Sequence, residues 1–310
     1  MWQQKADKII LEKLGIDVAP SANLTKWMKL LGQTPDTSPP VKIALVGKYV
    51  KLKDSYISIE EAIRHAAISQ QYNCTIIKVN SEEITETNVN EIFKDINGII
   101  VAPGFGSRGI EGKITTIHYA RSQNIPFLGI CLGLQCAVIE FARNVLGMKE
   151  ANSVEFAPST PYPVLDLMED QKSITQMGGT MRLGSYKCKI KQGTLAFKIY
   201  RQELIEERHR HRYEVNPAFL PLFEKNGFIV SGVNPETGLV EIMEIPSHRF
   251  FIGVQFHPEF KSRFEYPHPL FIEFVKSAYQ HALNNHKQEI TVKENRTKIE
   301  EFSATSLKKS

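Results

Sequence analysis

Residues 127–135 combine an apolar run with a cysteine that lies between two glycines. The apolar run enters Gly129-x-Cys131-x-Gly133 and continues as a helical pattern, which predicts a sharp turn from a strand into a helix. The glycines avoid Cβ clashes in such a turn, and the helix N-terminus stabilises a thiolate at Cys131. The amide of Leu132 would point towards a negative oxygen formed during the reaction. Cys131 is therefore the candidate nucleophile.

Residues 255–259 supply the partners that a cysteine nucleophile needs. They end a strongly apolar run and contain His257 and Glu259, two positions apart. Because residues i and i+2 of an extended chain face the same side, Glu259 can orient the imidazole of His257. A histidine after a strand is usually structural, but a nearby glutamate and a Cys turn favour catalysis. Cys131, His257 and Glu259 together predict a catalytic triad.

The region around these motifs alternates between β-branched runs and helical patterns. Strands are predicted at residues 41–46, 75–79, 98–102 and 126–130, and helices at 59–67, 89–96, 113–122 and 132–145. Strands that alternate with helices predict an α/β fold with a mainly parallel, open central sheet flanked by helices. Later in the chain, strands are predicted at 181–190 and 251–256, a hairpin within 228–245 and a helix at 269–283. The C-terminal half should therefore add a smaller antiparallel strand element.

The composition of the 310-residue chain is that of a globular protein, with 42% hydrophobic and 23% charged residues. Disordered, collagen-like and coiled-coil proteins are excluded. The formal charge of +4 is too small to indicate a nucleic-acid or membrane partner. The four cysteines form no C-x-x-C pair, so no metal site is predicted, and Cys74, Cys136 and Cys188 should be structural. The N-terminus lacks the apolar core of a signal peptide, so we expect a cytoplasmic protein.

The two catalytic motifs resemble those of class I glutamine amidotransferases, which hydrolyse glutamine with a Cys-His-Glu triad. Three more stretches are similar to the CTP synthase family within that class, at residues 103–113, 177–184 and 207–216. The resemblance spans residues 41–283. It implies that residues 1–40 are the end of a synthetase domain with its interdomain linker, and that residues 284–310 form a polar, disordered tail. We find no Gly-x-x-x-x-Gly-Lys-Ser/Thr phosphate loop, so the synthetase domain itself is expected to be absent from this chain.

Family position implies a set of glutamine-binding residues in addition to the triad. These residues are Gly104, Leu132, Gly133, Leu134, Gln135, Glu155 and Arg212. The oxyanion would lie against the amides of Leu132 and Gly104. Arg212 would pair with the α-carboxylate of glutamine and Glu155 with its α-ammonium, because a cation and an anion suit a zwitterion. Many family members have glycine where this chain has Pro103, and proline should make the loop less flexible.

Residues 208–212 read Arg-His-Arg-His-Arg, which is typical of either a solvated charged face or a phosphate-binding patch. In the CTP synthase family GTP activates glutamine hydrolysis, and the resemblance implies a GTP effector site near this run, Phe105 and Arg108. Glutamine hydrolysis itself would need no cofactor, whereas ATP and Mg2+ would bind the synthetase domain. The ammonia would aminate UTP to CTP, and the full-length protein is expected to be a homotetramer.

Three other functions stay open at the level of sequence. The chain could be the glutaminase part of another amidotransferase, such as GMP synthase or carbamoyl-phosphate synthetase, which the motifs at 177–184 and 208–212 disfavour. It could be a γ-glutamyl hydrolase or a cysteine peptidase with the same fold. It could also be a binding module that has lost its chemistry, which a complete Cys-His-Glu set disfavours.

Overall fold

The computed structural model describes residues 4–17, 23–31, 36–52, 54–167 and 181–287. The chain divides into two compact units, residues 1–34 and residues 35–310. The first unit contains helices α1 (Ala6–Lys13) and α2 (Thr25–Leu31), and α1 has no buried residue. Residues 284–287 of the predicted tail are helical, and its remainder lies outside the described residues.

The second unit is an α/β fold, as predicted. Its strands are β1 (Asp36–Gly47), β2 (Tyr72–Asn80), β3 (Gly98–Val101), β4 (Phe127–Ile130), β5 (Asn152–Ser153), β6 (Pro163–Leu167), β7 (Arg182–Ile190), β8 (Leu204–His211), β9 (Tyr213–Val215), β10 (Ile229–Val233), β11 (Val240–Glu244) and β12 (Phe251–Val254). Its helices are α3 (Ile57–Ser69), α4 (Val89–Ile92), α5 (Ile110–Ser122), α6 (Leu132–Asn144), α7 (Leu195–Tyr200), α8 (Leu220–Lys225) and α9, over residues 269–287.

Nine of the strands form one mixed sheet in the order β2-β1-β3-β4-β12-β11-β10-β7-β8. Neighbouring strands are parallel from β2 to β12 and antiparallel from β12 to β8. The antiparallel strands predicted for the C-terminal half are therefore present, and they extend the main sheet. Strands β5, β6 and β9 form a separate small sheet.

Alternate residues of the central strands point into two apolar layers. Val46 and Val101 belong to a layer that includes residues of α5 and α6, whereas Leu45 and Ile100 belong to a layer that includes residues of α3 and α9. Strands buried on both faces read as continuous apolar runs, which is why their sequences predicted them. Helices on both faces leave the carboxyl ends of the parallel strands open to ligands.

Several elements differ from the sequence prediction, since β5, β6, β8, β9, α7 and α8 were not predicted. The helix predicted over 89–96 ends at Ile92, and Phe93 and Ile96 beyond it are buried in the core. Strand β8 was not predicted, because most of its buried positions carry polar residues instead of apolar ones. Among the described residues, no helix is both long and apolar enough to cross a bilayer.

Candidate active site

Cys131 occupies a strained turn between β4 and α6. Its backbone has φ 53° and ψ −102°, a conformation that L-residues adopt only when the surrounding structure enforces it. The amide of Cys131 donates a 2.7 Å hydrogen bond to the carbonyl of Val254, which ties the turn to the end of β12. The residue is 3% exposed. The structure therefore holds the thiol in a fixed position that is almost inaccessible to solvent.

The two glycines that flank Cys131 are required by close backbone packing. A Cβ on Gly129 would lie 2.7 Å from the carbonyl carbon of Gly133, and a Cβ on Gly133 would lie 2.3 Å from the carbonyl oxygen of Val101. Real Cβ atoms do not approach backbone atoms so closely. The Gly-x-Cys-x-Gly pattern thus has the structural reason that the sequence suggested.

His257 and Glu259 follow β12 and form a buried pair beside this turn. The Nδ1 atom of His257 lies 2.8 Å from Oε1 of Glu259, and the amide of His257 donates to the carbonyl of Arg208 at 2.8 Å. The ring of Phe260 stacks on the imidazole with centroids 5.2 Å apart. The tautomer and orientation of His257 are therefore set by a carboxylate on one edge and an aromatic ring on one face.

Charges around His257 favour its protonated form. Burial opposes a charged imidazole, but the thiolate of Cys131 and the carboxylate of Glu259 outweigh it and raise the pKa of His257 to about 10. The Nε2 atom is buried and has no hydrogen-bond partner among the described residues. A protonated His257 can therefore donate from Nε2 to a leaving group at Cys131.

Gln255 is a site residue to which sequence reasoning gave no role. Its Nε2 atom lies 3.7 Å from the Sγ atom of Cys131, and Sγ also lies 3.9 Å from the carbonyl oxygen of Arg210. Gln255 accepts at 3.3 Å from the side chain of Gln135, which also donates to the carbonyl of Tyr213 at 2.9 Å. Its position two residues before His257 is the signal that could have identified it.

Gly104 lies in the loop that follows β3, next to the first residue of α6. A Cβ on Gly104 would be 3.3 Å from Cδ2 of Leu132, so the Leu132 side chain packs against the loop that carries Gly104. The side chain of Leu134 is fully buried and packs against Gly253. Leu134 and the buried Gly133 therefore offer only backbone groups to a substrate.

Glu155 and Arg212, the two predicted glutamine-binding charges, act on each other. Burial raises the pKa of Glu155, and it is opposed by a hydrogen bond from the amide of Gly106 and by the positive charges of Arg212 and Lys48. The Gly106 amide donates to Oε1 of Glu155 at 2.9 Å. Glu155 is therefore linked both to the loop that carries Gly104 and to the segment between β8 and β9.

Of the two predicted effector residues, Phe105 lies at the rim of the site. Phe105 is 44% exposed, and the guanidinium carbon of Arg210 lies 5.8 Å from the centre of its ring. Phe105, Arg210 and Phe260 line a groove that reaches His257. Arg108 is exposed and forms an ion pair with Glu82 at 3.4 Å.

The run at residues 208–212 is divided between two faces of β8. His209 and His211 are buried, whereas Arg208 and Arg210 are exposed. Burial and the nearby Arg182 lower the pKa of His209 to about 3, so the ring is neutral at physiological pH. The positive charge of this run is thus carried by its arginines.

A network of polar side chains supports the buried face of β8. His209 contacts His211 at 3.0 Å, and Arg182 pairs with Glu241 at 2.8 Å and with Glu214 at 3.1 Å. These residues come from β7, β8, β9 and β11, so the network joins the two sheets behind the site. Among the described residues, no three His, Cys, Asp or Glu side chains are placed to bind a metal ion.

Comparison with known proteins identifies the family of this chain. Residues 51–277 match the family described as Glutamine amidotransferase class-I. The match covers more than half of the chain. The chain therefore belongs to the class I glutamine amidotransferase family.

The curated relatives with high sequence identity to this chain are CTP synthases. The chain is 52% identical over 281 residues to the CTP synthase of Flavobacterium psychrophilum, covering 91% of this chain and 52% of the relative. It is 50% identical over 283 residues to the CTP synthase of Caldanaerobacter subterraneus, and this match covers 91% of this chain and 52% of the relative. The chain thus spans about half the length of these curated relatives.

A solved structure agrees with these relatives. The glutaminase domain of Trypanosoma brucei CTPS with bound acivicin is 40% identical to this chain and superposes with a TM-score of 0.73. The superposition covers 77% of this chain and 94% of the other.

Proposed function

We propose that this chain hydrolyses L-glutamine to glutamate and ammonia, with Cys131 as nucleophile, His257 as acid and base, and Glu259 as its orienting group. One observation carries the proposal. Cys131 sits on a strained strand-to-helix turn beside a buried His257–Glu259 pair, and the pKa of His257 is raised to about 10. A thiolate next to an imidazolium is the resting state that an acyl-transferring cysteine needs.

The reaction follows from these groups in two stages. The thiolate of Cys131 attacks the side-chain amide carbon, and the carbonyl oxygen becomes negative. His257 gives its Nε2 proton to the amide nitrogen, the C–N bond breaks, ammonia leaves and a thioester remains. Neutral His257 then takes a proton from water, which attacks the thioester and releases glutamate and the thiolate.

The binding residues complete the proposal. The amides of Leu132 and Gly104 would donate to the oxyanion, because both adjoin the cysteine turn. Arg212 would bind the α-carboxylate of glutamine and Glu155 its α-ammonium. The electrostatic interaction of Glu155 with Arg212 supports this assignment, since a zwitterion needs an anion and a cation near each other.

The burial of the thiol favours a small molecule as substrate instead of a polypeptide. Cys131 is 3% exposed and His257 is also buried, so a peptide chain would need the site to open. This disfavours a cysteine peptidase. A γ-glutamyl hydrolase would use the same triad, and a comparison of glutamine with γ-glutamyl peptides as substrates separates the two.

For the whole protein, the CTP synthase relatives support a role in pyrimidine nucleotide biosynthesis. We assign the ammonia to the amination of UTP to CTP by a synthetase domain that binds ATP and Mg2+, within a cytoplasmic homotetramer. GTP would act as allosteric activator at the rim formed by Phe105 and Arg108. The exposed ring of Phe105 and the nearby Arg210 suit a planar base with a phosphate chain.

Incubation with glutamine and, separately, with a diazo-ketone analogue of glutamine tests this proposal. We expect ammonia release and a single label on Cys131 by peptide mass spectrometry, and a Cys131→Ala variant should show neither. Cys136→Ala is the matched control and should behave like the wild type. Folded protein without label and without ammonia would refute the glutaminase and leave a binding module.

A further inference from the structure

Lys113 is a fully buried lysine in the first turns of α5. Its Nζ atom donates a 2.6 Å hydrogen bond to the carbonyl of Ala102, and the side chain is 0% exposed. Within the described residues, no carboxylate forms an ion pair with it. A buried ammonium without a carboxylate is unfavourable, and the N-terminus of a helix disfavours a cation further. Packing alone would be better served by an apolar residue.

The surroundings of Lys113 connect it to the candidate active site. Nζ lies 3.7 Å from the position that a Cβ on Gly104 would take. Burial, together with the charge of Lys48, lowers the pKa of Lys113 to about 8, while the thiols of Cys136 and Cys131 act in the opposite direction. The lysine thus packs against the loop that carries Gly104.

The hydrogen bond to Ala102 fixes the peptide that leads into this loop. The amide of Ala102 donates to Val46 of β1 at 2.9 Å, and its carbonyl accepts from Lys113. The next residue, Pro103, has a fixed φ because of its ring. Only ψ of Pro103 then remains to aim the amide of Gly104.

We propose that Lys113 is a positioning residue that holds the Ala102 carbonyl so that the Gly104 amide points at the oxyanion. This inference rests on the proposed glutaminase function and deepens it. The oxyanion exists only after Cys131 has attacked, so the contribution of Lys113 falls on the transition state and not on bound glutamine. Its loss should therefore lower kcat and leave KM nearly unchanged.

Three variants of the full chain test the proposal. Lys113→Met keeps the length of the side chain and removes the donor and the charge, whereas Lys113→Gln keeps a donor without the charge. Thr116→Val is the matched control, because Thr116 is fully buried on the same helix and donates to the carbonyl of Gly112 at 2.7 Å. For each variant we measure kcat and KM for glutamine and the inhibition constant of the γ-aldehyde analogue of glutamine. The aldehyde forms a tetrahedral adduct with Cys131 that carries the oxyanion.

We expect Lys113→Met to lower kcat by about 30- to 100-fold and to weaken binding of the aldehyde by the same factor. KM should change by less than about threefold. Lys113→Gln should lie between Lys113→Met and the wild type, and Thr116→Val should stay within about twofold of it. Equal aldehyde inhibition constants in Lys113→Met and the wild type would refute the proposal, and so would equal losses in Lys113→Met and Thr116→Val.

Thermal unfolding shows whether each variant is folded. If Lys113→Met does not fold, the more conservative Lys113→Gln is compared with the wild type and with Thr116→Val instead. A wild type that binds the aldehyde but releases no ammonia from glutamine would contradict the proposed function. The ranking of the variants by aldehyde affinity would still decide the role of Lys113.

Discussion

The protonation of His257, beside Cys131, depends on a few buried charges. His257 is buried and would be neutral in an apolar pocket, yet its pKa is raised to about 10 by the thiolate and by Glu259. By contrast, burial raises the pKa of the thiols of Cys74 and Cys136 to about 12. These two thiols are therefore protonated at physiological pH and suited to packing, as the sequence suggested.

Replacing Glu259 by glutamine should move the pH dependence of glutamine hydrolysis. Glu259 raises the pKa of His257, so its loss lowers that pKa. The imidazolium then loses its proton at a lower pH than in the wild type. We expect the descending limb of kcat/KM, near pH 10 in the wild type, to shift down by about one unit. The value of kcat should also fall about 100-fold, since the ring loses its orienting partner.

Ammonia release between pH 6 and pH 10.5 measures both effects. Glu206→Gln is the control, because Glu206 is an exposed carboxylate of β8, and its profile should match that of the wild type. A Glu259→Gln variant with an unshifted descending limb would show that Glu259 does not tune His257.

The cysteine turn is an element whose shape depends on backbone contacts. Gly133 leaves room for the carbonyl of Val101, and Gly129 leaves room for Gly133 itself. The first turn of α6 therefore rests directly on β3 and β4. A side chain at either glycine would push the helix away from the sheet and carry Leu132 with it.

Gly133→Ala should destabilise the protein by about 3 kcal/mol or more, because its Cβ would lie 2.3 Å from a backbone oxygen. Gly147→Ala is the matched control. Gly147 has φ 73° and open space around its Cβ position, so alanine there adds only backbone strain of about 1 kcal/mol. Urea unfolding followed by circular dichroism measures both variants. Equal losses would mean that the contact with Val101 does not constrain the turn.

The elements differed in how well their sequences predicted them. Strands β1, β3 and β4 are buried on both faces, so their apolar runs identify them, and the glycines around Cys131 identify the turn. Strand β8 escaped prediction because Glu207, His209 and His211 fill its inner face. Their burial depends on partners such as Arg182 and Glu241, which come from other strands and cannot be inferred from local periodicity.

Lys113 and Gln255 were missed for a related reason. A single lysine on a helix reads as a surface residue, and only the fold reveals that it points at the carbonyl of Ala102. Gln255 stands inside a recognised motif, but its contact with the thiol depends on the pairing of β12 with β4. Motifs thus predicted the candidate reacting groups, and the three-dimensional arrangement revealed the polar groups packed around them.

At the scale of the whole molecule, the core belongs to the second unit. The described buried apolar residues begin at Val41, and α1 in the first unit buries none of its residues. The sequence-based boundary at residue 40 stays a prediction, and β1 already begins at Asp36.

Removing residues 1–34 should therefore leave the second unit folded. We expect a thermal midpoint within about 3 °C of that of the full chain, and glutaminase activity within about twofold. Removal of residues 1–47 is the contrasting deletion, because it takes away β1 and its fully buried Ile43 and Leu45. A first deletion that unfolds like the second would show that the core needs residues 1–34.

The central position of β12 in the sheet also determines when the candidate site can assemble during translation. Val254 pairs with Ile130, so the proposed base and the proposed nucleophile follow two adjacent strands, but all of β5 to β11 is synthesised between them. Pairing between segments so distant in sequence is slow to form, and it cannot begin before β12 has been synthesised. Until β12 inserts, a nascent chain holds Cys131 without His257. On the proposed mechanism, an unfinished chain therefore cannot split glutamine, and ammonia release begins only once β12 has joined the sheet.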